Sequence, residues 1–97
     1  MSEVQLIARH RIAAGKENEV LPLLPRLAAA ALTEPGCLAF EIYRLLDDER
    51  SYVLLERYAS RDALDAHRET EHFKKLVLGE IAPRLESRIL ETFDVND

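Results

Sequence analysis

Two runs decide how this chain is read: Cys37-Leu38-Ala39-Phe40-Glu41-Ile42-Tyr43-Arg44-Leu45-Leu46 and Ser51-Tyr52-Val53-Leu54-Leu55-Glu56-Arg57-Tyr58-Ala59. Between them lies Asp47-Asp48-Glu49-Arg50. Aromatic and β-branched residues fit a pleated, half-buried surface, and a short polar link between two such runs suits a hairpin. Neither run alternates cleanly. Phe40, Ile42, Tyr43, Leu45 and Leu46 are apolar or aromatic in the first, and Tyr52, Val53, Leu54, Leu55 and Tyr58 in the second. A sheet with one wet face would alternate apolar and polar side chains. Both faces are therefore expected to be covered, one by this chain's helices and the other by the sheet of a second copy, giving a homodimer.

Working outward, residues 4–12 place Val4, Leu6, Ala8, His10 and Ile12 on one face and Gln5, Ile7, Arg9 and Arg11 on the other. That is the two-residue period of a strand. In residues 16–33, Val20, Leu23, Leu24, Leu27, Ala28 and Ala31 form an apolar stripe at helical steps. Pro22 and Pro25 conflict with a regular helix, because each lacks an N–H and crowds the preceding turn. A bent first turn is expected, then a regular run stopped by Glu34-Pro35-Gly36. Downstream, Ser60 is a good N-cap for a helix at 61–68. Thr70 could cap a second helix carrying Phe73, Leu76, Val77 and Ile81, which Pro83 ends. Residues 86–94 read as a last strand and 95–97 as a polar tail. The order β-α-β-β-α-β, with its second helical segment split, predicts one α+β ferredoxin-like domain over residues 1–97.

Composition narrows the function classes. The chain has 97 residues, 47% apolar and 32% charged, which excludes disorder. A chain this size buries only about 60–65% of its unfolded surface, so a partner surface would help. No apolar run approaches the roughly 20 residues of a membrane span, and Met1-Ser2-Glu3 does not open a signal peptide. With a lone Cys37 unable to form an intrachain disulfide, the expectation is a cytoplasmic protein. The net charge is −5 and the 13 basic residues are scattered, so a nucleic-acid partner is not expected.

Several residues could carry chemistry. Glu56 shares a face with Tyr52, Leu54 and Tyr58, and Glu41 one with Cys37, Ala39, Tyr43 and Leu45. A carboxylate buried without a partner has a raised pKa and could shuttle protons. The same groups could equally bond backbone or an arginine such as Arg57 or Arg88. His67 shares the inward stripe of Ala63 and Leu64. It would approach the sheet together with His72 if the chain turns at Arg68-Glu69-Thr70. Imidazole suits proton transfer near neutral pH, although His67 could instead pack or cap its helix and His72 face solvent. A metal site is not expected, since His67 and His72 are five apart rather than at i, i+4 and no further ligand is evident. Tyr43, Tyr58 and Phe73 belong to an aromatic set on which a flat ring could stack, or which could simply fill the core.

Glu34-Pro35-Gly36-Cys37-Leu38-Ala39-Phe40-Glu41, Leu55-Glu56-Arg57-Tyr58, Ala59-Ser60-Arg61-Asp62-Ala63-Leu64, His67 and Thr70-Glu71-His72-Phe73 together resemble the antibiotic biosynthesis monooxygenase domain family. That family includes small quinol monooxygenases, and the likeness spans nearly the whole chain. The resemblance implies a dimeric α/β barrel with a pocket between each sheet and its own helices. It also implies an oxygenase without flavin, haem or metal, in which a phenolic substrate is deprotonated and its anion reduces O2. On that reading His67, His72 and Glu56 are the catalytic candidates, and Tyr58, Tyr43 and Phe73 contact a small aromatic substrate. Tyr58 stands where many relatives carry tryptophan. The haem-degrading branch's first-strand asparagine, third-strand tryptophan and axial histidine are here about His10, Tyr58 and Val77, which argues against haem. A relative similar in the Glu-Pro-Gly run and the two-histidine segment isomerises a phosphorylated autoinducer sugar. A sugar-phosphate isomerase, with Arg68 or Lys74 as the phosphate cation, is therefore the alternative, as is a non-enzymatic ligand-binding or stress-response module.

Overall fold

The computed structural model describes residues 2–95. Strand β1 (Glu3–Ile12) is followed by the short helix α1 (Glu17–Val20), helix α2 (Leu23–Ala31), and strands β2 (Cys37–Arg44) and β3 (Ser51–Tyr58). Helix α3 (Arg61–Arg68) leads to α4 (Phe73–Ile81), which is π-wound, a 3₁₀ turn (Ala82–Arg84) and strand β4 (Leu85–Val95). The strands form one antiparallel sheet in the order β2-β3-β1-β4. This is the ferredoxin-like arrangement expected from the sequence. Val95 ends β4 rather than opening a tail. Met1 and residues 96–97, which were read as terminal segments, lie outside the described residues.

Helix starts and stops follow local chemistry. The expected break at the two prolines is present: α1 ends at Val20 and α2 restarts beyond Pro22. The Ser60 hydroxyl accepts from Ala63 N at 3.1 Å, capping α3. Thr70 Oγ1 accepts from Phe73 N at 3.2 Å and donates to the His67 carbonyl at 2.7 Å, which ties the end of α3 to the start of α4.

One sheet face packs under the helices. Val4, Leu6, Ala8 and Ile12 of β1 and Tyr52, Leu54 and Tyr58 of β3 point inward, against Leu24, Leu27 and Ala31 of α2, Leu64 of α3, and Leu76, Val77 and Ile81 of α4. The face pattern expected for β2 needs correction. Cys37 pairs with Tyr58 but Ala39 with Arg57, so Leu38 is the extra residue of a bulge. The bulge separates Cys37, which is buried, from Ala39, Glu41 and Tyr43 on the far face, and turns Phe40 inward beside Glu56. On the far face Leu38, Tyr43, Ile89 and Phe93 are about half exposed. Among the described residues no helix is long and apolar enough to cross a membrane.

Candidate functional site

Of the polar side chains buried under the helices, Glu56 of β3 and His67 of α3 lie together, and His10 lies apart on β1. Glu56 projects from β3 between apolar neighbours and is 3% exposed; Tyr58, two residues on, donates its hydroxyl to Glu56 Oε1 at 2.5 Å. His67, on the inward face of α3, is 2% exposed. Its Nδ1–H donates to Glu34 Oε2 at 2.8 Å, and its Nε2 lies 3.9 Å from Glu56 Oε1. The turn after α3 brings His72 round so that its Nε2–H donates to the same Glu34 oxygen at 2.5 Å. The ring centroids of Tyr58 and Phe73 lie 5.1 and 5.3 Å from that of His67.

This arrangement depends on a close approach of backbone to helix. A Cβ on Gly36 would lie 2.5 Å from Ala63 Cβ. The bare glycine lets the loop after α2 press against α3, which sets Glu34 opposite His67, one helical turn beyond Ala63.

The burial shifts several titrations. Loss of hydration raises Glu56 to about 7, against the opposing hydrogen bond from Tyr58. Burial, then the Glu56 charge, pushes Tyr58 up, so it stays a phenol. Burial lowers His67, partly offset by its hydrogen bond to Glu34. Burial, then Glu34 and Glu56, pushes the Cys37 thiol up to about 11, which makes it inert rather than nucleophilic. Because a carboxylate only accepts, Glu34 holds the neutral His67 proton on Nδ1 and leaves Nε2 as a free lone pair.

His67 and Glu56, toward which Nε2 faces, both line a cavity of about 20 Å³ between the sheet and the helices. The cavity is lined by Leu6, Ala8, Leu27, Phe40, Leu54 and Val77, with Glu56, His67, Arg68 and Phe73 at one side and His10 and Arg88 on the strands. His10 is 3% exposed; its Nδ1 and the Tyr52 hydroxyl share a hydrogen bond of 2.7 Å, and its Nε2 has no partner among the described residues. Burial, then the Arg88 charge, lowers His10 to about 4.

Of the residues singled out in the sequence, His67, His72, Glu56, Tyr58 and Phe73 come together. Tyr43 does not. It lies on the opposite sheet face, 52% exposed and donating to Glu41 Oε1 at 3.2 Å, because the bulge sets the parity of β2. Glu41 is likewise exposed rather than buried. Arg57 is no partner for Glu56, since it bonds Gln5 and Glu3 on the far face. Glu34 was missed as a site residue. Glu34, His67 and His72 present ligand atoms within 4.8 Å of one another, a juxtaposition that the spacing along the chain did not show.

The sequence profile of the antibiotic biosynthesis monooxygenase family matches residues 4–77, from β1 into α4. The chain belongs to that family. As a member of the antibiotic biosynthesis monooxygenase family it is 35% identical over 72 residues to Rv0793 of Mycobacterium tuberculosis, a provisionally named monooxygenase, covering 74% of this chain and 70% of that one. The solved structure of Rv0793 superposes with a TM-score of 0.90 over 99% of this chain and 97% of that one, at 28% identity. An antibiotic biosynthesis monooxygenase crystal structure gives 0.89 at 30% identity, covering 97% and 99% of the two chains. A Caulobacter crescentus protein provisionally given the same name also gives 0.89 at 30%, covering 99% and 92%. A monooxygenase-like function follows from membership, and all three superpositions take in β4, which lies beyond the matched segment.

Proposed function

We propose that this protein is a cofactor-independent monooxygenase acting on an electron-rich phenol of the quinol class. The observation that carries the reading is the Glu34–His67 pair, which fixes a buried imidazole with Nε2 free at the edge of the cavity. His67 Nε2 takes the phenolic proton, and the phenolate gives one electron to O2. The two radicals join at a ring carbon, and the proton held by His67 passes to the outer oxygen, giving a hydroperoxide. Loss of the proton from that carbon and cleavage of the O–O bond leave one oxygen on the product quinone and release the other as water. Glu56, across from Nε2, offsets the charge of the imidazolium. His72 shares Glu34 and so helps to hold the carboxylate in place.

The cavity has room for one water- or dioxygen-sized molecule. A quinol ring therefore enters only as the α3–α4 wall, with Phe73 and Arg68, moves outward. We also assign the exposed apolar far face of the sheet to a second copy of the chain, which would complete a dimeric barrel. The presence of Arg68 and Arg88 at the cavity supports one further reading, a sugar-phosphate isomerase holding an anionic group there.

Oxygen uptake with a panel of hydroquinones and naphthohydroquinones tests the proposal. His67→Ala is expected to lower turnover by at least about 10²-fold, the usual contribution of a positioned base, with the far-UV spectrum unchanged. Full turnover in His67→Ala would refute the histidine base. Thermal stabilisation by a phosphorylated ketose, with no oxygen uptake on any quinol, would favour the isomerase.

A further inference from the structure

We infer that Glu34, His67 and His72 form a binding site for a first-row divalent cation of the zinc or cobalt kind. Two imidazoles and a carboxylate are the donor set that such ions take, with a fourth position left to water. Here the three ligand atoms come from three segments and lie within 4.8 Å of one another. Without an ion, both rings donate to Glu34 Oε2, at 2.8 and 2.5 Å. Donors around a tetrahedral ion at its usual bond lengths stand roughly 3.4 Å apart. Accepting the ion therefore asks Glu34 Oε2 to withdraw by less than about 1 Å, and the two ring nitrogens, which lie within 4.8 Å of each other, to reach the same spacing by small side-chain rotations.

The surroundings hold the ligands ready. Gly36 seats the Glu34 loop against α3, and the two Thr70 hydrogen bonds fix the turn between the histidines. When Nδ1 of His67 ligates, its proton sits on Nε2, facing Glu56 Oε1 at 3.9 Å, and Glu56 is itself held by Tyr58. A shift of under about 1 Å would close that gap to a hydrogen bond and give the carboxylate–histidine–metal order that orients a ligating ring. The His72 and Glu34 side chains are 21% and 11% exposed while His67 is 3% exposed, so the ion reaches the site from the His72 side.

Binding does not depend on the oxygenase reading, but its consequence does. An ion on Nδ1 leaves Nε2 protonated, so His67 can no longer take a substrate proton, and the cation acts as a brake on turnover.

The experiment uses the full chain freed of metal by a chelator. Calorimetric titration with ZnCl2 is expected to saturate at one equivalent per chain. In ¹⁵N-histidine spectra of the wild type, Zn²⁺ should move Nδ1 of His67 and Nε2 of His72 and leave His10 in place. His72→Ala and Glu34→Gln should each weaken binding by at least about 10-fold, while His10→Gln should retain it. No saturable uptake, uptake with the His67 and His72 resonances unmoved, or undiminished uptake in both variants would overturn the site. The wild-type spectra decide even if a variant fails to fold. No arm measures oxygen consumption, so failure of the site and failure of the oxygenase reading are separate results.

Discussion

His10 ties the stability of the fold to pH between about 4 and 6.5. Its imidazole is 3% exposed on the central strand, and burial followed by Arg88 lowers it from 6.5 to about 4, a difference of 6.5 − 4 = 2.5. The unfolded chain therefore binds this proton first as the pH falls. The contribution of the neutral ring is fully present above pH 6.5 and is lost progressively down to about 4. At about 1.4 kcal/mol per unit the total is roughly 3 kcal/mol, most of it lost before ordinary carboxylates titrate. His67, also lowered, contributes with the same sign. Glu56, raised from 4.5 to about 7, contributes with the opposite sign, because its stabilisation is lost as pH rises through that range. The measurement is thus a difference: urea unfolding of wild type and His10→Gln from pH 7 to 4.5, followed by far-UV dichroism at one protein concentration. The wild type should lose about 2–3 kcal/mol more than the variant across this window. Parallel stability curves would refute the reasoning, since they would mean that the ring is hydrated or already charged.

Two further outcomes follow from the packing. Gly36→Ala should destabilise the fold by about 1–3 kcal/mol through overpacking against Ala63. It should also displace the Glu34 loop, shifting the His67 Nδ1 resonance; an unmoved resonance with native stability would show that the contact is slack. Sedimentation at micromolar concentration should give about twice the 11.1 kDa chain mass, and a clean monomer would leave the exposed far face without its proposed cover.

The sheet was legible because β1 carries a two-residue period that survives into the structure and because a polar link joins the runs of β2 and β3, and the paired prolines marked the break between α1 and α2. Parity in β2 was not legible. One extra residue at Leu38 reverses which side chains face inward, and nothing in a run apolar on both faces marks where the extra residue sits. That is why Tyr43 was grouped with the site although Phe40 takes the inward place. His67 was visible from the stripe of Ala63 and Leu64. Glu34 was hidden because a Glu-Pro-Gly run reads first as a helix stop. The signal that could have found it is the glycine two residues later, which permits a helix to come within contact distance of that carboxylate. Winding was invisible for a simpler reason: Phe73, Leu76, Val77 and Ile81 suit spacings of three, four or five equally well.

That winding sets a constraint of length rather than composition. Each N–H in a π-turn reaches back five residues instead of four, so α4 packs an additional residue into its course between the Thr70 cap and the 3₁₀ turn before β4. A chain one residue shorter among Leu78, Gly79 and Glu80 could rewind as an ordinary α-helix, keep its hydrogen bonds and still bury Leu76, Val77 and Ile81. The tighter winding and the missing residue would offset each other, so the two ends would keep nearly the same orientation. His72 and Phe73 would then stay beside Glu34 and His67. The constraint is therefore one-sided: α4 can lose a residue and return to ordinary winding with the site in place, whereas a residue added to it would have to rotate one end against the other.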